Sequence, residues 1–166
     1  MLGALTLLAN PAVGQMPTLL PEATAPPSTP AISVFSDWRV ICATRDDDHQ
    51  ACRIEPIAVK SETGAAPSVS ILRDDDGEVL VLRAPLGLLL PQGAVLRVDG
   101  RELGRLAFQT CETDGCVAPV RLTSQIGTAI RRGIRLEIEL TSRDGVRLQN
   151  TVSLLGVTAA LGVLSP

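Results

Sequence analysis

The chain has 166 residues, a formal net charge of −3 and a composition that is 45% hydrophobic and 20% charged, which suits one globular domain with a tail and excludes large multidomain enzymes and global disorder. The acidic balance lacks the basic footprint of nucleic-acid or anionic-membrane binding. With Trp38, Phe35 and Phe108 as the only aromatic residues and His49 as the only histidine, stacking sites are poorly supplied, and His-rich zinc sites and two-imidazole relays are excluded.

Met1 to Gln15 reads MLGALTLLANPAVGQ, apolar and uncharged. It has the form of the later part of a secretory signal peptide, with the small residues Ala12 and Gly14 ahead of a cleavage before Gln15, although a basic n-region is missing. Pro11 opposes the alternative, a short buried helix. The Pro-, Ala- and Thr-rich stretch that follows cannot build a packed core and reads as an extended linker. The expected organisation is therefore a signal-peptide-like segment at 1–14, a Pro-rich linker at 15–31 and a folded domain at 32–166. No later segment reaches about 20 uninterrupted apolar residues, so no transmembrane span is expected after removal of the first.

From Ile32 onward the pattern is β. Trp38, Val40 and Cys42 alternate with more polar neighbours, and apolar runs recur at Cys52–Val59, Val69–Leu72, Val79–Leu82, Val95–Val98, Leu106–Phe108, Val117–Leu122, Ile134–Leu140 and Val146–Leu155. In the clearest, Ile134, Leu136, Ile138 and Leu140 form one face, and Arg135, Glu137 and Glu139 form the other, as in an antiparallel sheet with one dry side. Asp76-Gly77, Asp99-Gly100, Asp114-Gly115 and Asp144-Gly145 supply hairpin turns. Short strands with such turns predict an all-β sandwich or barrel. One short helix is predicted at Thr123–Arg132, capped by Thr123 or Ser124 and stopped by Gly133. The C-terminal SLLGVTAALGVL fits either a strand leading into a short helix or one continuous helix.

Four cysteines, Cys42, Cys52, Cys111 and Cys116, form an even set in the portion expected to be exported, where disulfides are expected. The local pairing, Cys42 with Cys52 and Cys111 with Cys116, demands the least geometric coincidence of the three connectivities. A zinc site and a redox-active pair are the rivals; the spacing matches zinc poorly and the compact C-x-x-C of oxidoreductases is absent.

The acidic runs Asp46–Asp48 and Asp74–Asp76 lack the spaced ligands of a calcium loop and read as solvated turns. His49 beside the first run is the best acid-base candidate, and a lone loop histidine is more often simply exposed. Ser124 and Ser153 are not surrounded by a nucleophile elbow, and neither a phosphate loop nor a G-x-G-x-x-G motif occurs, so no nucleotide cofactor is expected. Arg97, Arg101, Arg105, Arg131, Arg132 and Arg135 would form an anion-accepting surface only if they converged; scattered solvated faces are expected.

The residues also carry a resemblance. D-W-R-V-I-C at Asp37–Cys42, C-R-I at Cys52–Ile54, A-P-L-G-L-L-L-P-Q-G at Ala84–Gly93, V-L-R-V-D-G at Val95–Gly100, F-Q-T-C-x₄-C at Phe108–Cys116 and V-S-L-L-G-V-T-A-A-L at Val152–Leu161, in that order, resemble the invasion-associated locus B family. The resemblance implies an exported protein of Gram-negative bacteria with an immunoglobulin-like antiparallel β-sandwich and paired cysteines, and brings no catalytic residues with it. The family's name suggests a part in entering host cells. Val157 departs from the family, which more often has an aromatic residue after the glycine.

Physical reasons fit several of these positions. Trp38 can pack its indole into a sandwich core, Gly100 can serve a hairpin, and Gly87 and Gly93 can bracket a crossing segment at Leu88–Pro91. The whole PLGLLLPQG segment, Pro85–Gly93, is expected to be a buried crossover; the alternative is an exposed apolar contact for a partner.

The expectation for function is an exported noncatalytic binding protein, periplasmic, secreted or associated with the outer membrane. Its partner would be an envelope or host-surface protein, with no cofactor, no metal and no nucleic acid. The alternative is a periplasmic enzyme or enzyme inhibitor in which His49, Asp46–Asp48 and a hydroxyl meet in one cleft.

Overall fold

Hairpins set the architecture in this computed structural model, which describes residues 30–44, 50–62 and 66–164. The signal-peptide-like segment, nearly all of the Pro-rich linker, Asp46–Asp48 and His49 lie outside the described residues.

One antiparallel sheet has the order β1 (Ala31–Phe35), β2 (Trp38–Thr44), β3 (Gln50–Pro56), β5 (Ser68–Asp74), β6 (Gly77–Ala84), β10 (Gly115–Arg121) and β9 (Thr110–Glu112). The second has the order β4 (Lys60–Ser61), β12 (Arg147–Ser153), β11 (Arg135–Thr141), β7 (Ala94–Val98) and β8 (Arg101–Leu106). Two helices, α1 (Ser124–Arg132) and α2 (Val157–Val163), complete the domain. The expected all-β, immunoglobulin-like antiparallel sandwich with short helices is what the chain forms.

Period-2 alternation places the core between the sheets. Burial alternates without a break along β6 (Gly77–Ala84) and along Leu136, Ile138 and Leu140 of β11. Trp38, Val40, Ile54, Ile71, Leu80 and Leu82 of the first sheet meet Leu96, Leu136, Ile138, Leu140 and Val152 of the second. Ile130 of α1 and Val157 and Leu161 of α2 join them, Val157 being fully buried at 0% exposure. Thr123 caps α1, its hydroxyl accepting from the Ile126 amide at 3.4 Å, as one of the two cap candidates required.

Ile134 corrects the sequence reading. Expected as the first member of the buried quartet, it is 65% exposed. It precedes β11 and lies beyond the last β11–β7 pair, Leu136 with Val98, outside the paired part of the sheet. The Leu106–Phe108 run also ends early, β8 stopping at Leu106, with Phe108 half-buried against the core.

The turns are more varied than a shared Asp-Gly signal suggests. Asp99 and Gly100, at φ 49° and 81°, form the two-residue link between Val98 and Arg101, the type I′ pattern of a tight hairpin. The Asp99 carboxylate also accepts the amides of Ile134 at 3.0 Å and Arg135 at 2.9 Å, pinning the start of β11. At Asp76-Gly77 and Asp114-Gly115 the register places the glycine in the next strand, opposite Asp74 and Glu112 respectively. The C-terminal ambiguity resolves as strand then helix. Gly156, at φ 90°, separates them and lies against the Phe35 carbonyl where a Cβ would collide.

Candidate interaction surface

The cysteines are paired as the local connectivity predicts. Cys42 and Cys52 face one another in the β2–β3 register with Cα atoms 4.1 Å apart, and Cys111 and Cys116 do so in the β9–β10 register at 3.9 Å. Each bridge joins neighbours of the first sheet, and no cysteine is free.

The sequence-marked polar residues do not converge. Asp74–Asp76 occupies the β5–β6 turn, where Asp74 accepts the Asp76 amide at 3.0 Å and pairs with Arg121. The hydrogen bond from Arg121 holds the Asp74 carboxyl below its ordinary value of 3.8. Arg97 pairs with Glu139 at 3.2 Å and Glu102 at 3.4 Å, and Arg131 binds both oxygens of Glu78 at 2.6 Å. Arg135 faces Glu137 at 3.8 Å. The arginines are thus spread over several faces, and three of the six, Arg97, Arg131 and Arg135, answer carboxylates of their own chain. Ser153 has its carbonyl committed to Trp38 and its hydroxyl to the Leu155 amide. Ser124 begins α1, exposed, next to the capping Thr123.

The segment joining the sheets departs from expectation and supplies the most distinctive surface. Expected as a buried crossover, it leaves Leu86 56%, Leu89 37% and Leu90 43% exposed; only Leu88 packs partly on the core. Its shape is nevertheless fixed by main-chain bonds. Leu89 donates to Thr141 at 2.8 Å, Arg143 donates to Gly87 at 2.9 Å, and Leu88 bridges Ser142. A 3₁₀ turn at Leu90–Gln92 closes it, and Arg105 binds the Gln92 carbonyl. With its backbone bonded to the end of β11 and the loop after it, the segment leaves Leu86, Leu89 and Leu90 facing water while Leu88 turns toward the core.

Beside Leu89 opens a cleft of about 370 Å³ whose other walls include Gln92, Arg105, Glu139, Thr141 and Arg147. Glu139 is held there from three sides: partial burial pushes its carboxyl up, but hydrogen bonds from Gln149 at 2.7 Å and from Arg97, together with the positive charges of Arg97 and Arg147, outweigh this, leaving it below 4.5. An apolar ridge beside a groove of fixed charges is chemistry for gripping a partner's surface, since large exposed apolar groups in a rigid frame mark contact sites. A second, more apolar cleft of about 430 Å³ lies between Ile57, Lys60 and Ile134 at the opposite sheet edge. Sequence reasoning missed Ile57 and Ile134 as surface residues; the signal for the leucine ridge was Pro85, Gly87 and Pro91, which interrupt any ladder.

Among the described residues no three His, Cys, Asp or Glu side chains gather as a metal-binding group, and no helix is long and apolar enough to cross a membrane.

The sequence model of the family described as Invasion associated locus B (IalB) protein matches residues 38–165. The chain is 31% identical over 130 residues to invasion protein B homologs of Brucella abortus strain 2308 and of Brucella abortus biovar 1 strain 9-941, a match spanning 76% of this chain and 75% of each relative. Its fold is similar to the crystal structure of invasion associated protein b from Bartonella henselae, with a TM-score of 0.68 at 23% identity over 81% of this chain and 94% of that one.

Proposed function

The chain belongs to the invasion associated locus B family, and from that premise we propose that it is an exported, noncatalytic binding protein of the bacterial cell envelope that contributes to host-cell invasion through a protein partner. The observation that carries the reading is the rigidly held exposed ridge of Leu86, Leu89 and Leu90 beside the Arg105–Glu139 cleft. Three leucines in water cost free energy that a partner recovers on burying them. Two disulfides suit an oxidising compartment outside the cytoplasm. The names of the relatives support the invasion role.

A photo-crosslinking residue at Leu89 or Leu90, introduced in the producing bacterium, should trap a defined partner, and Leu89→Asp with Leu90→Asp should abolish both that adduct and any invasion phenotype. His49→Ala should leave them unchanged. Loss of phenotype with His49→Ala, while the leucine variants behave as wild type, would instead favour the enzyme or inhibitor reading.

A further inference from the structure

Four strands end the two sheets, and three of them are blunted. β4 has two residues, one of them Lys60. β9 has three and is bolted to β10 by Cys111–Cys116. β8 carries Arg101, Glu102 and Arg105, with a register irregularity against β7 between Leu96 and Arg97. Short length, charge and bulges are how proteins deny an edge to other chains. The remaining edge, β1, has none of them: Ala31-Ile32-Ser33-Val34-Phe35 is uncharged, free of proline, and regular against β2 from Ala31–Cys42 to Phe35–Trp38. Ile32 and Val34 are 61% and 62% exposed, and among the described residues no strand pairs with the outer side of β1. The strand also lies ahead of the residues matched by the family, which begin at Trp38.

We propose that β1 is a dimerisation edge, pairing antiparallel with the same strand of a second copy of this chain about a twofold axis at Ser33. The two-residue link Ser36-Asp37 makes Phe35–Trp38 the closing pair of its hairpin, and alternation from there turns the main-chain groups of Ile32 and Val34 away from β2. Pairing centred on Ser33 sets Ile32 opposite the partner's Val34, so these outward groups meet in hydrogen-bonded pairs. On the other face Ala31 falls opposite the partner's Phe35, small against large, and Ser33 opposite the partner's Ser33. A second copy suits this edge better than a charged segment, because β1 offers no charge to complement and suffers no like-charge contact when paired with itself. α2 packs on β1 and β2 and exposes Val163 at 44%, adding apolar surface near the joint. With five residues paired per chain, the dimer is weak and concentration-dependent rather than obligate.

Sedimentation equilibrium of the full chain tests this. A reversible dimer is expected, weakened at least about tenfold by Ile32→Lys and by Val34→Glu, because each change recurs twice across the axis. The double variant should regain association, since each new ammonium then faces a new carboxylate. Ser33→Cys should give a disulfide-linked dimer on mild oxidation. Both single changes sit on an exposed strand, so unaltered circular dichroism separates lost association from lost folding. A chain that stays monomeric, a dimer indifferent to Ile32→Lys, or a double variant as weak as the singles would each overturn the proposal and leave the leucine-ridge reading untouched.

Discussion

The indole N–H of Trp38, in the first sheet, donates to the main-chain oxygen of Ser153, in the second, at 2.8 Å across 115 residues of sequence. Trp38 is fully buried, so this bond satisfies a polar group inside the core while tying the two layers together. Nearby, Asp37 donates to Leu155 at 3.2 Å and Gly156 lies against the Phe35 carbonyl. The β1–β2 turn and the entry to α2 are thereby locked to one another.

Trp38→Phe removes the donor, leaves the Ser153 carbonyl short of a partner and opens a void. The expected cost is about 2–3 kcal/mol. Urea unfolding should show a lower midpoint with an unchanged slope; an unmoved midpoint would mean that the indole bond contributes nothing net.

The Glu78 side chain is only 8% exposed and has both carboxylate oxygens bound by Arg131 of α1, with Arg73 at 4.0 Å. Arg131→Ala strands that buried charge, and because Arg131 itself is partly solvated the loss should be about 1–3 kcal/mol. Adding Glu78→Gln should return part of it, as a neutral amide is cheaper to bury. A double-mutant cycle reads the coupling, and additive losses would dismiss the pair as a stabilising link.

Much of the sandwich was legible because its signals are local. Leu136, Ile138 and Leu140 announce a half-buried strand, Asp99-Gly100 a tight turn, and Thr123 with Gly133 the two ends of a helix. β1 and β4 went unmarked as separate runs for opposite reasons: β1 is apolar yet exposed from Ala31 to Val34, and two residues of β4 carry no period. The leucine ridge was the larger miss. A bounded apolar run looks the same whether it crosses through a core or over a surface, and only the bonds that join Leu89 to Thr141 and Arg143 to Gly87 decide between them. Ile134 failed similarly, since periodicity cannot say where the facing strand ends.

The two disulfides close loops of unequal length, with sequence separations of 10 and 5. Chain-entropy reasoning gives stabilisations of about 2.7 and about 2 kcal/mol. Replacing Cys42 and Cys52 by Ala should therefore lower the melting temperature more than replacing Cys111 and Cys116. Intact mass after alkylation without reductant should show no added label on the native chain. Four labelled thiols would contradict the pairing outright.

Acid should weaken the fold through Asp74 and Glu139. Both carboxyls are held below their ordinary values of 3.8 and 4.5, Asp74 by its hydrogen bond from Arg121, Glu139 by Gln149 and Arg97 acting against the opposing effect of burial. A carboxyl lowered in the folded state binds fewer protons there than in the unfolded chain, so stability rises with pH through that range. Its contribution is fully present above the ordinary values and is lost as pH falls through the lowered folded ones. The melting temperature should thus be flat down to about pH 5 and fall below it. Glu139→Gln and Asp74→Asn should each shallow that fall, and salt should diminish the Asp74 part more, because its pair with Arg121 is exposed. Acid limbs that superimpose on wild type in both variants would assign the pH dependence to other carboxylates.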